Sequence, residues 1–156
     1  MGVLKLGWSD IESAVHDVAR KIYNNGYMPD IIVAISRGGL IPARLLSDIL
    51  KVKLIVTIAI EFYEDVDKTK CRPRLVYTLP KEINIAGKNV LVCDDIVDSG
   101  QTLKLTREYL ESLNPKQIKF VSLLVKPHAK TWPDYYSRKT DNWVVFPWES
   151  TEFKNL

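Results

Sequence analysis

Three carboxylates and two hydroxyls fall within the nine residues Asp94-Asp95-Ile96-Val97-Asp98-Ser99-Gly100-Gln101-Thr102. The turn Ser99-Gly100-Gln101-Thr102 can offer backbone N–H groups and hydroxyls to a phosphate, with the positive end of a following helix behind them. The carboxylates cannot share that phosphate, because like charges repel. They suit sugar hydroxyls or a hard metal ion, both of which want oxygen acceptors. A second small-residue turn, Ser36-Arg37-Gly38-Gly39, adds a cation and two glycines that let backbone approach a ligand closely.

Both turns need a rigid frame. Val90-Leu91-Val92-Cys93 is a β-branched apolar run that predicts a buried parallel strand, with Asp94 and Asp95 where the strand ends. A helix follows from about Gln101 to Ser112 and stops before Asn114-Pro115. The first turn is framed alike, by a strand over Ile31 to Ile35 and a helix over Leu40 to Leu50, with Pro42 tolerable in its first turn. Earlier, Ser9-Asp10-Ile11-Glu12 reads as a capping box opening a helix, with Ile11, Val15, Val18, Ala19 and Ile22 on one face and Gly26 closing it. Leu54 to Ile60 and Ile118 to Val125 are further strands. Strands separated by helices predict α/β architecture: an open, mostly parallel, twisted sheet with flanking helices and its ligand loops gathered at one edge.

Between Glu61 and Arg74 charged residues crowd together. A charge run is ordinarily a solvated loop; here it could also be a flap that excludes water from a reacting centre, with Leu75 to Leu79 as its returning arm. Trp132 to Trp148 holds three of the four tryptophans, an aromatic density that is not left exposed without reason.

A length of 156 residues predicts a single domain over 1–156. Apolar content of 46% and 26% charged residues fit a soluble globular chain, and a net charge of +3 favours small anions without suggesting nucleic acid. No apolar run reaches the ~20 residues of a membrane span. The start lacks a signal-peptide core, and Leu6 stands where a myristoylation signal needs serine or threonine. The expected location is cytoplasmic, with no membrane partner. Cys93 reads as a small buried thiol and Cys71 as part of the charged segment, with no disulfide expected in a reducing compartment. His16 and His128 suggest no metal site, and His16 belongs to the first helix.

The stretch Val90 to Thr102 resembles the 5-phosphoribosyl 1-pyrophosphate (PRPP) signature of type I phosphoribosyltransferases, an apolar strand, two acidic residues and a D-T/S-G-x-T loop. The resemblance spans Trp8 to Glu149. It implies a core of about 28–126, a hood from about 1–12 and 127–156, and a flap at about 61–77. In the flap this chain has Phe62-Tyr63, where the family's tyrosine commonly follows serine. The implied reaction displaces pyrophosphate from C1 of PRPP by a ring nitrogen of a base. Positive charge builds on the ribose as in glycoside chemistry, and an acidic pair beneath the sugar stabilises it.

By this resemblance Asp94 and Asp95 hold the ribose hydroxyls, Asp95 contacts Mg²⁺, and Asp98 is the general base near purine N7. Asp98, Ser99, Gly100, Gln101 and Thr102 take the 5′-phosphate. Ser36, Arg37 and Gly38 take pyrophosphate, with a strained or cis peptide between Ser36 and Arg37. Lys126 would donate to O6 of a 6-oxopurine, Trp143 would stack on the ring, Val144 would read the base through its backbone, and Glu149 would lie near the exocyclic position. The Pro147-Trp148-Glu149 ending is similar to that of bacterial-type xanthine–guanine enzymes. The plainer readings are a solvated strand end for Asp94 and Asp95, a surface charge for Lys126 and core packing for Trp143. The resemblance implies purine salvage on PRPP and guanine, xanthine or hypoxanthine, in a homodimer or homotetramer. The alternatives are a phosphoribosyltransferase for another base and a PRPP- or nucleotide-sensing regulator on the same fold.

Overall fold

The computed structural model describes residues 2–64 and 71–149. Eight strands and three α-helices follow in the order β1 (Val3–Lys5), α1 (Trp8–Asn24), β2 (Ile31–Ser36), α2 (Leu40–Leu50), β3 (Ile55–Glu64), β4 (Cys71–Tyr77), β5 (Asn89–Val97), α3 (Gln101–Glu111), β6 (Gln117–Val125), β7 (Tyr135–Lys139) and β8 (Trp143–Val145), with a 3-10 turn at Pro147–Glu149. The main sheet runs β4-β3-β2-β5-β6-β7, and β1 pairs with β8 in a separate two-stranded sheet. Only β4 is antiparallel within the main sheet. Among the described residues, no helix is long and apolar enough to cross a membrane.

Helices cover both faces, so the central strands are apolar on both. Leu91 and Cys93 join the core formed with α1 and α2, through Ile11, Val18, Ile22, Ala43 and Leu46. Val90 and Val92 join the core formed with Leu103 and Leu110 of α3. The first helix begins at Gly7, not at Ser9: the Asp10 carboxylate accepts the Gly7 N–H at 2.8 Å. Extended backbone at Gly7 lets helix geometry begin at Trp8, so Ser9 falls inside the first turn.

Strand β5 runs past the acidic pair to Val97, four residues beyond its expected end. Its ladder with β2 stops at Ala34 and Cys93, while its ladder with β6 continues to Val97 and Val125. One edge of the strand is therefore released where the acidic residues begin. There the carboxylates serve local amides: Asp94 Oδ1 accepts from Asp95 N at 3.0 Å, and Asp95 Oδ1 from Ile96 N at 2.7 Å. The pleat shifts at the same point, since Cys93 and Ile96 both face the α1–α2 side and Val92 and Val97 both face α3.

The charged stretch is structured on both sides of its centre. Glu61 to Glu64 of β3 pair with Arg74 to Cys71 of β4, after a register shift between Ala59 and Ile60. The arms of the expected flap are thus a hairpin ribbon, stabilised by cross-strand pairs such as Glu61 with Arg74 (3.8 Å). Its tip, 65–70, lies outside the described residues. The aromatic tail also forms strands: β7 extends the sheet beyond β6, and β8 pairs with the chain start through Trp143 N to Gly2 O at 2.8 Å and Leu6 N to Val145 O at 3.0 Å.

Gly39 fixes how closely the first turn sits on the sheet. A Cβ there would collide with the Cys93 carbonyl oxygen and with the backbone N and O of Ile35 at 2.9 Å. These are strand atoms that cannot swing aside. Gly39→Ala should lower stability by about 1–3 kcal/mol, the usual cost of overpacking. A denaturant midpoint equal to wild type would show that the turn has room to move.

Candidate active site

Three cavities open along the released edge of β5, and Asp95 lines all of them. One, of about 400 Å³, is walled by Asp94 to Gly100, Thr102 and Leu103, with Phe62 of the hairpin. The second, of about 610 Å³, is walled by Ile96, Asp98, Lys126, His128, Asp141, Trp143, Val144, Phe146 and Glu149. The third, of about 380 Å³, lies between Arg37, Gly38, Trp148 and Glu149. Asp98 joins the first cavity to the second, and Glu149 joins the second to the third. Ser36, at the end of β2, and Gln101, in the first turn of α3, do not line these walls.

The first cavity is shaped by the turn that leads into α3. Gly100 is the N-cap of α3 at φ +85, a left-handed conformation that favours glycine. It also lies against the backbone of Thr131, so any side chain there would strike the peptide (Thr131 N, 2.7 Å). Ser99 Oγ accepts the Gln101 amide at 3.3 Å, and the helix presents its positive end to the cavity. The Ser36–Arg37 peptide of the third cavity is cis, as the resemblance implied. Gly38 packs directly on the Asp95 carboxylate, where a methyl group would not fit.

The acidic pair is held in an unfavourable setting. Burial raises Asp94 well above the ordinary carboxylate range, and the neighbouring Asp95 charge adds to it. Burial also raises Asp95, with the charge of Glu149 adding to it, while the hydrogen bond from Ile96 N opposes it. Groups of this kind gain from a cation or from hydroxyl donors brought by a ligand. Among the described residues, no three His, Cys, Asp or Glu side chains converge to hold a metal by themselves. One buried carboxylate beside a cavity suits Mg²⁺, which keeps few protein ligands and completes its shell from phosphates and water. Asp95 is the residue that fits this role.

The second cavity is built by the tail. Lys126 follows β6 directly, its backbone N–H bonded to Val97 O at 2.8 Å. Its ammonium donates to the Asn142 carbonyl, so it is no free surface charge, and an ammonium keeps two further donors. Trp143 is 58% exposed and lines the cavity, and so is not core packing. The core role falls instead to Phe146 and Trp148, whose rings stack at 4.7 Å, with Trp8 at 6.0 Å from Trp148. Glu149 Oε2 accepts the Phe146 N–H at 3.1 Å, which fixes the carboxylate between two cavities. One wall residue had no signal in the sequence: His128 Nε2 lies 2.6 Å from Asp98 Oδ1.

A parallel sheet with a glycine-turned phosphate loop, a released acidic strand and an aromatic-walled cavity defines an α/β protein that handles a sugar phosphate beside a planar ligand. The phosphoribosyl transferase domain pattern matches residues 7–152, and the chain belongs to that family, in its type I, purine branch. It is 38% identical over 121 residues to a xanthine-guanine phosphoribosyltransferase of Gluconobacter oxydans, covering 76% of this chain and 68% of that one. It is 33% identical to the enzyme of that name from Idiomarina loihiensis, covering 92% and 85%. A purine phosphoribosyltransferase from Pyrococcus horikoshii superposes with a TM-score of 0.83 at 34% identity, covering 95% of this chain and 94% of that one. A Neisseria gonorrhoeae protein solved with bound ppGpp superposes at 0.86 with 25% identity, covering 99% and 93%.

The raised carboxyls carry a cost in stability. A group whose folded value is raised favours folding while protonated, and that contribution fades as pH rises through the folded value. Asp94→Asn should therefore stabilise the ligand-free protein near neutrality by on the order of 0.5–2 kcal/mol. The gain should vanish near about pH 3, where the wild-type carboxyl is protonated in both states. Thermal melts at the two pH values check this; no gain near neutrality would mean the acidic pair is not under electrostatic strain.

Proposed function

We propose that this chain transfers the 5-phosphoribosyl group from PRPP to a ring nitrogen of guanine, xanthine or hypoxanthine and releases pyrophosphate. The observation that carries the reading is the meeting of three cavities at Asp95. PRPP has a phosphate at each end of a sugar, and the attacking base must reach C1 from the side opposite the leaving group. A phosphate loop, a turn carrying Arg37 and Gly38, and an aromatic-walled cavity around one carboxylate match that arrangement.

In this reading the amides and hydroxyls of Ser99 to Thr102 grip the 5′-phosphate, with Asp98 closing the loop. Asp94 and Asp95 accept the ribose hydroxyls, and their negative charge stabilises the sugar as the bond to pyrophosphate breaks. Arg37 and Gly38, carried on the turn that opens at Ser36, receive the departing group. Asp95 would hold Mg²⁺, which would supply neutralising charge for pyrophosphate. Trp143 stacks on the base and Val144 offers its backbone. Lys126, donor-only and already oriented by Asn142, favours a 6-oxo over a 6-amino group. Asp98 takes the proton of the ring nitrogen at N7. The Phe62 ribbon covers the phosphate side and excludes water.

Incubation of the purified protein with Mg²⁺, PRPP and each base tests this directly. Nucleotide should form with 6-oxopurines and not with adenine, and a protein that makes none would overturn the proposal. Asp98→Asn should lower kcat by ~10²–10⁴-fold, the typical worth of general base help, while PRPP binding survives. Trp143→Ala should raise KM for the purine by roughly 5- to 150-fold, matching ~1–3 kcal/mol of base stacking. Because the Neisseria relative carries ppGpp, a guanine bearing phosphates at both sides of its ribose suits the same cavities, and ppGpp should compete with PRPP in this assay.

A further inference from the structure

The proposed reaction leaves His128 without a task, although its ring Nε2 lies within hydrogen-bond distance of the Asp98 carboxylate. Both side chains are largely exposed, at 64% and 72%, on the wall of the base cavity. An exposed carboxylate on a short stem samples several rotamers, and a base that must meet one ring nitrogen loses turnover for every rotamer that points elsewhere.

The backbone explains why these residues meet. Lys126 N donates to Val97 O at 2.8 Å and Lys130 N donates to Ser99 O at 3.0 Å. These bonds bracket Asp98 on one segment and His128 on the other, so the two stand opposite each other by register. The bracketing segment is itself tied down: Ala129 N donates to Lys126 O at 3.0 Å, Ala129 is buried, and Trp132 Nε1 donates to Ala129 O at 2.7 Å. Its far end packs on Gly100 through the backbone of Thr131. His128 is therefore presented from a fixed platform.

We propose that His128 is a positioning residue for Asp98, resting on the transferase reading above. Its Nε2–H donates to Asp98 Oδ1, which holds the carboxylate in one rotamer and leaves Oδ2 open to the base. The proton on N7 then passes to Oδ2, the electron pair of that N–H bond stays on N7, and N9 attacks C1 with its own lone pair as the bond from C1 to pyrophosphate breaks. The residue acts through Asp98 and touches no reacting atom.

The test uses the whole chain with Mg²⁺, PRPP and the best 6-oxopurine. His128→Ala should lower kcat about tenfold and leave KM for PRPP within about twofold, a loss the size of one hydrogen bond to a charged group. His128→Gln, whose amide nitrogen can stand where Nε2 stands, should recover kcat to within about threefold of wild type. In an Asp98→Asn background, His128→Ala should have no further effect. Without turnover, the Nε2 resonance of His128, one of only two histidines, should shift in Asp98→Asn while that of His16 stays. An active wild type whose His128→Ala keeps its kcat, or loses it equally in the Asp98→Asn background, would overturn the positioning role alone. A wild type that makes no nucleotide from any base would overturn the reaction and this role with it.

Discussion

The whole arrangement depends on one strand that loses a neighbour partway along. Strand β5 is paired on both edges through Cys93 and on one edge afterwards. Beyond that point its amides and side chains are no longer used by β2, and two carboxylates occupy a place that water only partly reaches. Desolvation of charge is unfavourable, and the fold tolerates it because apolar strands on both sides contribute far more than two carboxyls cost. A ligand with hydroxyls or a cation relieves that cost, so the strain is itself a source of affinity.

Two turns reach the same point by similar means. Gly39 lets α2 start almost in contact with β2 and β5, and Gly100 lets α3 start against the 126–132 segment. In each case the missing side chain sets a distance between backbones, and that distance sets the width of a cavity. The tail then completes the site from far away in sequence. Trp143 is placed by a strand that pairs with the first residues of the chain, so the two ends of the described chain jointly build the base-facing wall. Phe146 and Trp148 anchor that wall in the core, which leaves Trp143 as the exposed aromatic surface.

Much of this was readable from local pattern. The helix over Leu40 to Leu50 fell where its apolar spacing put it. The strand at Ile31 and the helix after Gly100 were likewise marked by short-range signals. The readings that moved did so for long-range reasons. Asp94 and Asp95 look like a strand end because polar residues interrupt an apolar run, yet the ladder to Ser122, Leu124 and Val125 carries the strand on. The charged stretch from Glu61 to Arg74 looks like a solvated loop, yet its described residues pair as an antiparallel ribbon, Glu61 to Glu64 against Arg74 to Cys71. Tyr135 to Lys139 has little strand signal of its own and pairs because β6 offers an edge.

The sequence by itself determined the acidic triad, the glycine turns and the order of the core strands and helices from β2 to β6, because each rests on signals from residues close in the chain. The tertiary structure decided which of these groups share a cavity, that Lys126 is steadied by the Asn142 carbonyl, and that His128 faces Asp98. Those meetings depend on strand register and on backbone bonds between distant segments, and no local pattern of residue types encodes a register.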